Sequence, residues 1–332
     1  MDTLPKHPLQ PKLGPTIVSR LMSGSKTSVI LPDNMYVFER GWLSSNNILL
    51  LNDAESVLVD SGYCTHASQT VQLVKSVLQE RSLDLLLNTH LHSDHCGGNA
   101  ALQAQFLCLR THIPPGGSGD IAQWNTEALT YDATGQTCPR FRFDGVLTPG
   151  CSMILAGSEW EVHAAPGHDP HAILLFNPET RVLISADALW EDGFGVVFPE
   201  LEGMAAFEEV DATLTLVESL RPGIVIPGHG SIFTDVSRAL DRARRRLDYF
   251  VAQPERHDLY AAKVLVKFKL LELQQCALQE LEDWAKRTPY IASLQRRLFP
   301  DQSTAAITET LVAALVKAGA AQRDGNMVAN KN

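Results

Sequence analysis

His90-Leu91-His92-Ser93-Asp94-His95 places four metal-ligand side chains within six residues. Imidazole nitrogens and a carboxylate are borderline-to-hard donors, suited to zinc, iron or manganese rather than to copper(I) or an iron–sulfur cluster. On an extended-to-loop segment His90 and His92 project the same way, with a period of two, while Asp94 and His95 lie past the bend. One pair can then serve each of two metals. Further donors stand at the ends of apolar runs: His168 after Ala165-Pro166-Gly167, Asp187 after Arg181-Val-Leu-Ile-Ser-Ala186, and His229 after Gly223-Ile-Val-Ile-Pro-Gly228. A polar residue after one strand is common, but the same design three times is a pattern. Two divalent ions held close together bring a bridging water to hydroxide near neutral pH and polarise a carbonyl or phosphoryl oxygen, which is hydrolytic chemistry. Asp94 is the candidate to orient that water and shuttle a proton.

The elements that must position these donors are short strands. Asp84-Leu-Leu-Leu-Asn-Thr89 reads as a buried strand that delivers the first cluster to a loop, and Trp160-Glu-Val-His-Ala164 as one that a Pro-Gly turn ends before His168. Leu189–Phe198 carries Trp190, Phe194 and Phe198 among glycines, as candidate walls of an apolar pocket. Thr111–Asp120 is a second candidate rim, its Pro and Gly content predicting no regular structure.

Together these strings resemble the metallo-β-lactamase superfamily over roughly residues 35–235, including the entry strands Asn47–Leu51 and Ser56–Gly62. The resemblance implies an αββα sandwich with the metals at one sheet edge. It implies that His90, His92 and His168 hold one metal, that Asp94, His95 and His229 hold the other, and that Asp187 bridges them. Asp60 then reads as a carboxylate orienting a ligating imidazole from behind, or else as a turn cap, and His171 as a similar support or an exposed loop residue. His92 stands where diiron flavoproteins have Glu, and Asp187 where zinc β-lactamases have Cys, which disfavours both activities. Pro166-Gly167-His168 and Ala186-Asp187-Ala188-Leu189 are similar to the hydroxyacylglutathione hydrolase (glyoxalase II) branch, although Ser185-Ala186-Asp187 and Asp169-Pro170 depart from its wording. The expected activity is dinuclear metal-dependent hydrolysis of a thioester, ester or lactone in a small molecule. The cofactors are two divalent ions, zinc first, with iron or manganese as alternatives. A phosphodiesterase or endoribonuclease and a mononuclear iron persulfide dioxygenase of the same fold are the competing readings.

The 332 residues exceed one ordinary domain, and three segments are expected: an N-terminal extension (1–34), a catalytic domain (35–253) and a helical domain (254–332). Within the last, Leu259 to Arg287 is mostly helix-forming, Thr304 to Ala318 reads as a helix, and an Asp324-Gly325-Asn326 turn joins two short extended pieces. Helices ending in a hairpin resemble a winged-helix module, for which dimerisation, giving a homodimer, or cover over the site are the expected roles. Residues 1–235 carry 12 Lys/Arg against 27 Asp/Glu, and residues 236–332 carry 16 against 11, so −15 and +5 sum to the net −10. An acidic body disfavours nucleic acid as partner. Ser237–Phe250 reads as an amphipathic helix whose Arg242 is a candidate to reach the site and hold a substrate anion. No run approaches the roughly 20 apolar residues of a membrane span, the first residues lack a signal-peptide pattern, and six irregularly spaced cysteines suit a reducing compartment. The expectation is a cytoplasmic enzyme without membrane contact.

Overall fold

The structure, a computed structural model, describes residues 29–331 and a backbone strand at Thr16–Val18. Most of the expected extension, and His7 with it, lies outside the described residues. Two mixed sheets face each other. The first contains β1 (Thr16–Val18), β2 (Met35–Glu39), β3 (Asn47–Leu51), β4 (Ser56–Val59), β5 (Leu85–Leu87), β6 (Arg110–Ile113) and β7 (Gly145–Val146), in that spatial order. It is antiparallel from β1 to β4 and parallel from β4 to β7. The second contains β8 (Ser152–Leu155), β9 (Ser158–Ala164), β10 (Ile173–Asn177), β11 (Val182–Ala186) and β12 (Ile224–Pro227). Its order is β12-β11-β10-β9-β8, and only the β11–β12 pair is parallel.

Side-chain alternation explains the layers. Successive strand residues face opposite sides, so a strand buried on both sides is apolar throughout. Val37, Ile48, Val57 and Leu85 meet Val162, Ile173, Leu175 and Ile184 in one cluster between the sheets. Their neighbours Phe38, Leu49, Leu58 and Leu86 turn outward onto α1 (Ala67–Leu78) and, beyond the four-residue turn α2 (Ser93–Cys96), onto α3 (Asn99–Gln105). After the short α4 (Ser118–Gln123), α5 (Tyr131–Thr134) and α6 (Phe198–Leu201), helices α7 (Phe207–Leu220) and α8 (Val236–Ala252) cover the outer face of the second sheet. Each fully buried Leu, Ile or Val contributes about 1.5–3 kcal/mol, so both outer helix layers are held by the same strands that form the middle. The architecture is an αββα sandwich.

The C-terminal part is helical with a small sheet. α9 (Pro254–Leu273), α10 (Leu278–Arg287), α11 (Pro289–Leu298) and α12 (Thr304–Lys317) share a cluster that also takes in Val196 and Leu201. The hairpin of β14 (Ala321–Asp324) and β15 (Met327–Asn330) turns at Gly325, where φ is +56°. The predicted helical stretch from Leu259 is interrupted. Gln274 adopts φ +61° and β13 (Gln275–Ala277) pairs with β15, so tertiary pairing overrides local propensity there. The Thr111–Asp120 segment is also more regular than its composition predicts. Thr111–Ile113 belongs to β6, paired with β5, and Ser118–Asp120 opens α4, leaving 114–117 as loop. No helix among the described residues is long and apolar enough to cross a membrane.

Candidate metal centre

Strand ends from both sheets converge at one edge. β4 leads into Asp60, β5 into Asn88 to His95, β11 into Asp187 and β12 into His229, while the turn between β9 and β10 brings in His168. The chain is shaped for this approach. The β11–β12 register shifts between Ile184 and Ala186, and Ala186 takes φ +46°, which swings Asp187 off the strand. Gly228 passes so close that a Cβ there would overlap Asp187 Oδ1, and a Cβ on Gly195 would overlap the His168 ring.

Three groups of donors have ligand atoms within 4.8 Å of one another: His90, His92 and His168; His90, His95 and Asp187; and Asp94, His95 and His229. Asp187 sits among them, with oxygens 3.5 Å from His95 Nε2, 3.4 Å from His168 Nε2 and 3.7 Å from His229 Nε2. His92 Nδ1 and His168 Nε2 are 2.8 Å apart, and Asp94 Oδ2 is 3.1 Å from His229 Nε2. Nε2 of His90 and of His95 are buried with no hydrogen-bond partner among the described residues. Buried polar nitrogens of this kind are costly unless something satisfies them. Lone pairs and carboxylate oxygens converging on a shared point fit divalent cations.

Electrostatics prepares the same donors. Burial pushes the His92 and His168 imidazoles down to about 4, and burial with neighbouring imidazoles drives His90 well below its usual value, so all three are neutral near pH 7, the form that ligates. Asp187 is held well below the usual carboxylate range, because His229 and His95 outweigh its burial, and Asp94 is lowered chiefly by its hydrogen bond to His229 against burial. His95 is the exception. Burial is the largest single influence and lowers it, yet Asp60 and Asp187 together raise it well above the usual value. Asp60 Oδ2 lies 2.8 Å from His95 Nδ1, and the same carboxylate accepts from Thr89 N (2.9 Å) and Thr89 Oγ1 (2.8 Å). That arrangement holds a proton on Nδ1, so that a cation binding at the centre would displace the Nε2 proton and take up that lone pair.

The other predicted residues divide. Trp190 donates from Nε1 to Asp187 Oδ1 at 3.1 Å and lines the cavity above the centre, and the Phe198 ring lies 4.9 Å from that of His92. Phe194 does not reach the cavity: it is buried with Leu240 and Phe250 between the second sheet and α8, because its backbone turns it into the core. Arg242 is likewise redirected. Its guanidinium pairs with Asp192 at 2.6 Å and with the Glu191 carbonyl at 3.2 Å on the outer surface. His171 stays on an exposed turn, its N–H donating to Asp169 Oδ1 and its ring against Gly116, without contact to the ligand cluster.

Several supports were not foreseen. His168 Nδ1 donates to the Val196 carbonyl at 2.6 Å, and Trp42, in the loop after β2, stacks on His229 at 5.5 Å and 10°. Trp42 is 53 % exposed, and a Trp following Gly41 a few residues ahead of the entry strand Asn47–Leu51 was the available signal. From the C-terminal part, Tyr260, Lys263, Leu265 and Phe268 of α9 and Leu315 of α12 close a cavity of about 420 Å³ over the centre. His257, at the start of α9, accepts from Val197 N at 3.1 Å and so steadies the segment that holds His168.

Burial, with Arg297 adding to it, keeps the His257 ring neutral down to about pH 4, whereas an unfolded histidine titrates near 6.5. The contribution is complete above about pH 6.5 and is lost as pH falls toward 4, because the unfolded chain takes up a proton that the native ring refuses. Between pH 7.5 and 5.0 wild-type protein should therefore lose about 2 kcal/mol more stability than His257→Gln, read from urea unfolding at both pH values. Equal losses would show that the ring is accessible in the native state.

Comparison with known proteins gives a consistent picture. The family model described as "Metallo-beta-lactamase superfamily" matches residues 40–229. The chain is 24 % identical over 230 residues to "Beta-lactamase-like protein 2 homolog" of Drosophila melanogaster, covering 63 % of this chain and 69 % of that one. It is 24 % identical over 225 residues to "Acyl-coenzyme A thioesterase MBLAC2" of Homo sapiens (60 % and 78 %). It is 29 % identical over 181 residues to a hydroxyacylglutathione hydrolase of Haemophilus ducreyi (54 % and 65 %). Among solved structures, a metallo-beta-lactamase family protein from Thermus thermophilus is similar in fold with a TM-score of 0.51 at 20 % identity, covering 90 % of this chain and 99 % of that one.

Proposed function

The chain belongs to the metallo-beta-lactamase superfamily, and from that premise we propose that it is a dinuclear metal-dependent hydrolase of thioesters with an apolar acyl group. The observation that carries this reading is the cavity itself, which joins the His/Asp centre to walls supplied by Trp190, Val196, Phe198, Leu265, Phe268 and Leu315. Such a pocket favours an acyl chain over a sugar or a nucleobase stack, at about 0.8 kcal/mol per buried methylene. The relatives named acyl-coenzyme A thioesterase and hydroxyacylglutathione hydrolase support cleavage at sulfur, and esters and lactones are the neighbouring substrates.

His90, His92 and His168 would hold one ion, Asp94, His95 and His229 the other, with Asp187 shared. Zinc, iron or manganese suits these donors. Bound there, the ions supply an acidified water and a Lewis acid for the acyl oxygen. The protein does the rest. Asp94, lowered and beside His229, stays a carboxylate that orients water and takes its proton. Asp60 and the Val196 carbonyl keep His95 and His168 in the ligating tautomer. Trp42, Trp190 and Phe198 exclude bulk water from the mouth. Residues 35–253 form the catalytic unit in this reading, with the winged-helix-like segment 254–332 as its cover. All six cysteines are free, which supports a reducing, cytoplasmic setting.

Metal content by elemental mass spectrometry, measured with turnover of acetyl and octanoyl thioesters, a lactone and a bis-aryl phosphodiester, tests the proposal. Two ions per chain and preferred octanoyl thioester cleavage are expected. Ala314→Trp, which places an indole in the cavity, should lower the octanoyl-to-acetyl kcat/KM ratio about tenfold, the equivalent of roughly two methylenes. Dominant phosphodiester cleavage would transfer the chain to the nuclease branch, and one iron with oxygen consumed on a persulfide would overturn hydrolysis altogether.

A further inference from the structure

Tyr260 and Lys263 line the catalytic cavity and also an open groove of about 440 Å³, shared with Arg245, Arg246 and Tyr249 of α8 and Arg256 of α9. The groove is cationic and unneutralised. Among the described residues, none of Arg245, Arg246, Arg256 and Lys263 has a carboxylate oxygen within the 4.0 Å of an ion pair. Of the other arginines on or beside the same helices, Arg242 pairs with Asp192, Arg244 with Glu218 and Arg297 with Asp258, while Arg238 lies outside the groove. In a chain with 38 acidic and 28 basic residues, four neighbouring cations without a carboxylate partner repel one another in the free protein. One of them is already set in place. Arg246 donates from Nη1 to the Phe194 carbonyl at 3.1 Å, and its guanidinium lies 5.2 Å over the Tyr260 ring, so little side-chain freedom remains to be lost on binding. Arg256 has a weak bond to Gln253 Oε1 at 3.3 Å, and Arg245 is exposed.

We propose that this groove binds the phosphates of the leaving thiol, so that the substrate is the acyl thioester of a nucleotide-bearing carrier such as coenzyme A. Arginine forks match phosphate oxygens in pairs, which Lys263 at the shared wall complements as a point charge. A local cationic strip is also what a polyanion needs to approach a protein of net charge −10. The acyl chain then lies in the apolar cavity, the thioester at the His/Asp centre, and the carrier passes Tyr260 and Lys263 into the groove. The groove takes no part in bond making. Water gives its hydroxyl to the acyl carbon, the C–S bond breaks, and the sulfur leaves with the remaining proton. The inference names the thiol for the thioesterase reading and rests on that reading for the reaction, while the anion site itself is tested by binding.

The test is calorimetric titration of full-length protein with coenzyme A, alongside KM values for octanoyl-coenzyme A and octanoyl-pantetheine, which shares the thiol arm but has no phosphate. Arg245→Gln/Arg256→Gln changes two exposed side chains, and its fold is checked by circular dichroism. It should weaken coenzyme A binding at least tenfold and raise the KM ratio of the coenzyme A thioester to the pantetheine thioester by a similar factor. Absent or charge-independent binding of coenzyme A, or a preference for octanoyl-glutathione over octanoyl-coenzyme A, overturns the groove and leaves the thioesterase reading standing. Charge-dependent binding with neither thioester cleaved upholds the anion site and overturns the thioesterase reading.

Discussion

Asp187→Ala is expected to lower kcat/KM by at least a thousandfold and to reduce the metal content from two ions per chain to one or fewer. Its two oxygens lie within 3.7 Å of ring nitrogens from His95, His168 and His229, so this one carboxylate reaches both groups of donors. No other carboxylate among the described residues lies against His95, His168 and His229 together. Trp190 Nε1 is a donor, and Asp94 is already engaged with His229. Removing Asp187 also leaves several buried imidazoles without the negative charge that balances a cation beside them, so affinity falls for each site. A thousandfold loss corresponds to about 4 kcal/mol of transition-state stabilisation, within what Lewis-acid catalysis supplies. Elemental mass spectrometry and steady-state kinetics on one preparation measure both effects. Two ions retained, with activity within tenfold of wild type, would remove Asp187 from the shared position.

The donors were legible in the sequence because each stands where a hydrophobic run stops, and strand ends in a sandwich of this kind meet at one edge. Asp84–Thr89, Arg181–Asp187 and Gly223–His229 each show the transition, and β5, β11 and β12 end within a few residues of it. What surrounds the centre was less legible, since it depends on rotation and on distant chain. Arg242 and Arg245 are both on the polar side of α8, yet three residues on a helix differ by about 60°, enough to send one to Asp192 and the other to the groove beside Tyr260. Phe194 and Phe198 bracket a loop without periodicity, so nothing in the spacing tells the core-facing ring from the cavity-facing one. β13 is hidden for a related reason. Gln275-Cys276-Ala277 has no strand pattern of its own and is extended because β15, some fifty residues later, offers it hydrogen bonds.

The C-terminal part is tied to the chemistry by more than coverage. Val196 belongs to the cluster built around α9 to α12, its carbonyl accepts from His168 Nδ1, and the next residue donates to His257 of α9. A displacement of α9 therefore moves the support of His168, a proposed metal donor, along with the cavity wall. Tyr260 packs against both this cluster and the one under α8, which couples the groove to the same helix. His257 stays neutral in that joint down to about pH 4, so stability falls below pH 6.5 through proton uptake by the unfolded chain, while order around His168 is expected to persist until the pH approaches 4.

Asp60→Asn tests the orientation of a single ligand without disturbing its surroundings. Asp60 has φ +58°, a conformation that Asn tolerates better than most residues, and its N–H bond to the Leu87 carbonyl is unaffected by the change. One amide oxygen can still accept from Thr89 N. The amide nitrogen then faces His95 Nδ1, where a donor meets a donor unless the imidazole moves its proton to Nε2. That tautomer points N–H rather than a lone pair at the centre, and His95 cannot ligate. Metal affinity should fall about 10–100-fold, the usual cost of losing an orienting carboxylate, and activity at limiting metal should fall with it. The melting temperature of the metal-free protein should change far less, since the side chain keeps its volume. Excess metal restores much of the activity of Asp60→Asn but not that of Asp187→Ala, because the first variant weakens a ligand and the second deletes one. If Asp60→Asn binds metal as wild type does, the carboxylate serves the turn at the end of β4 and not His95.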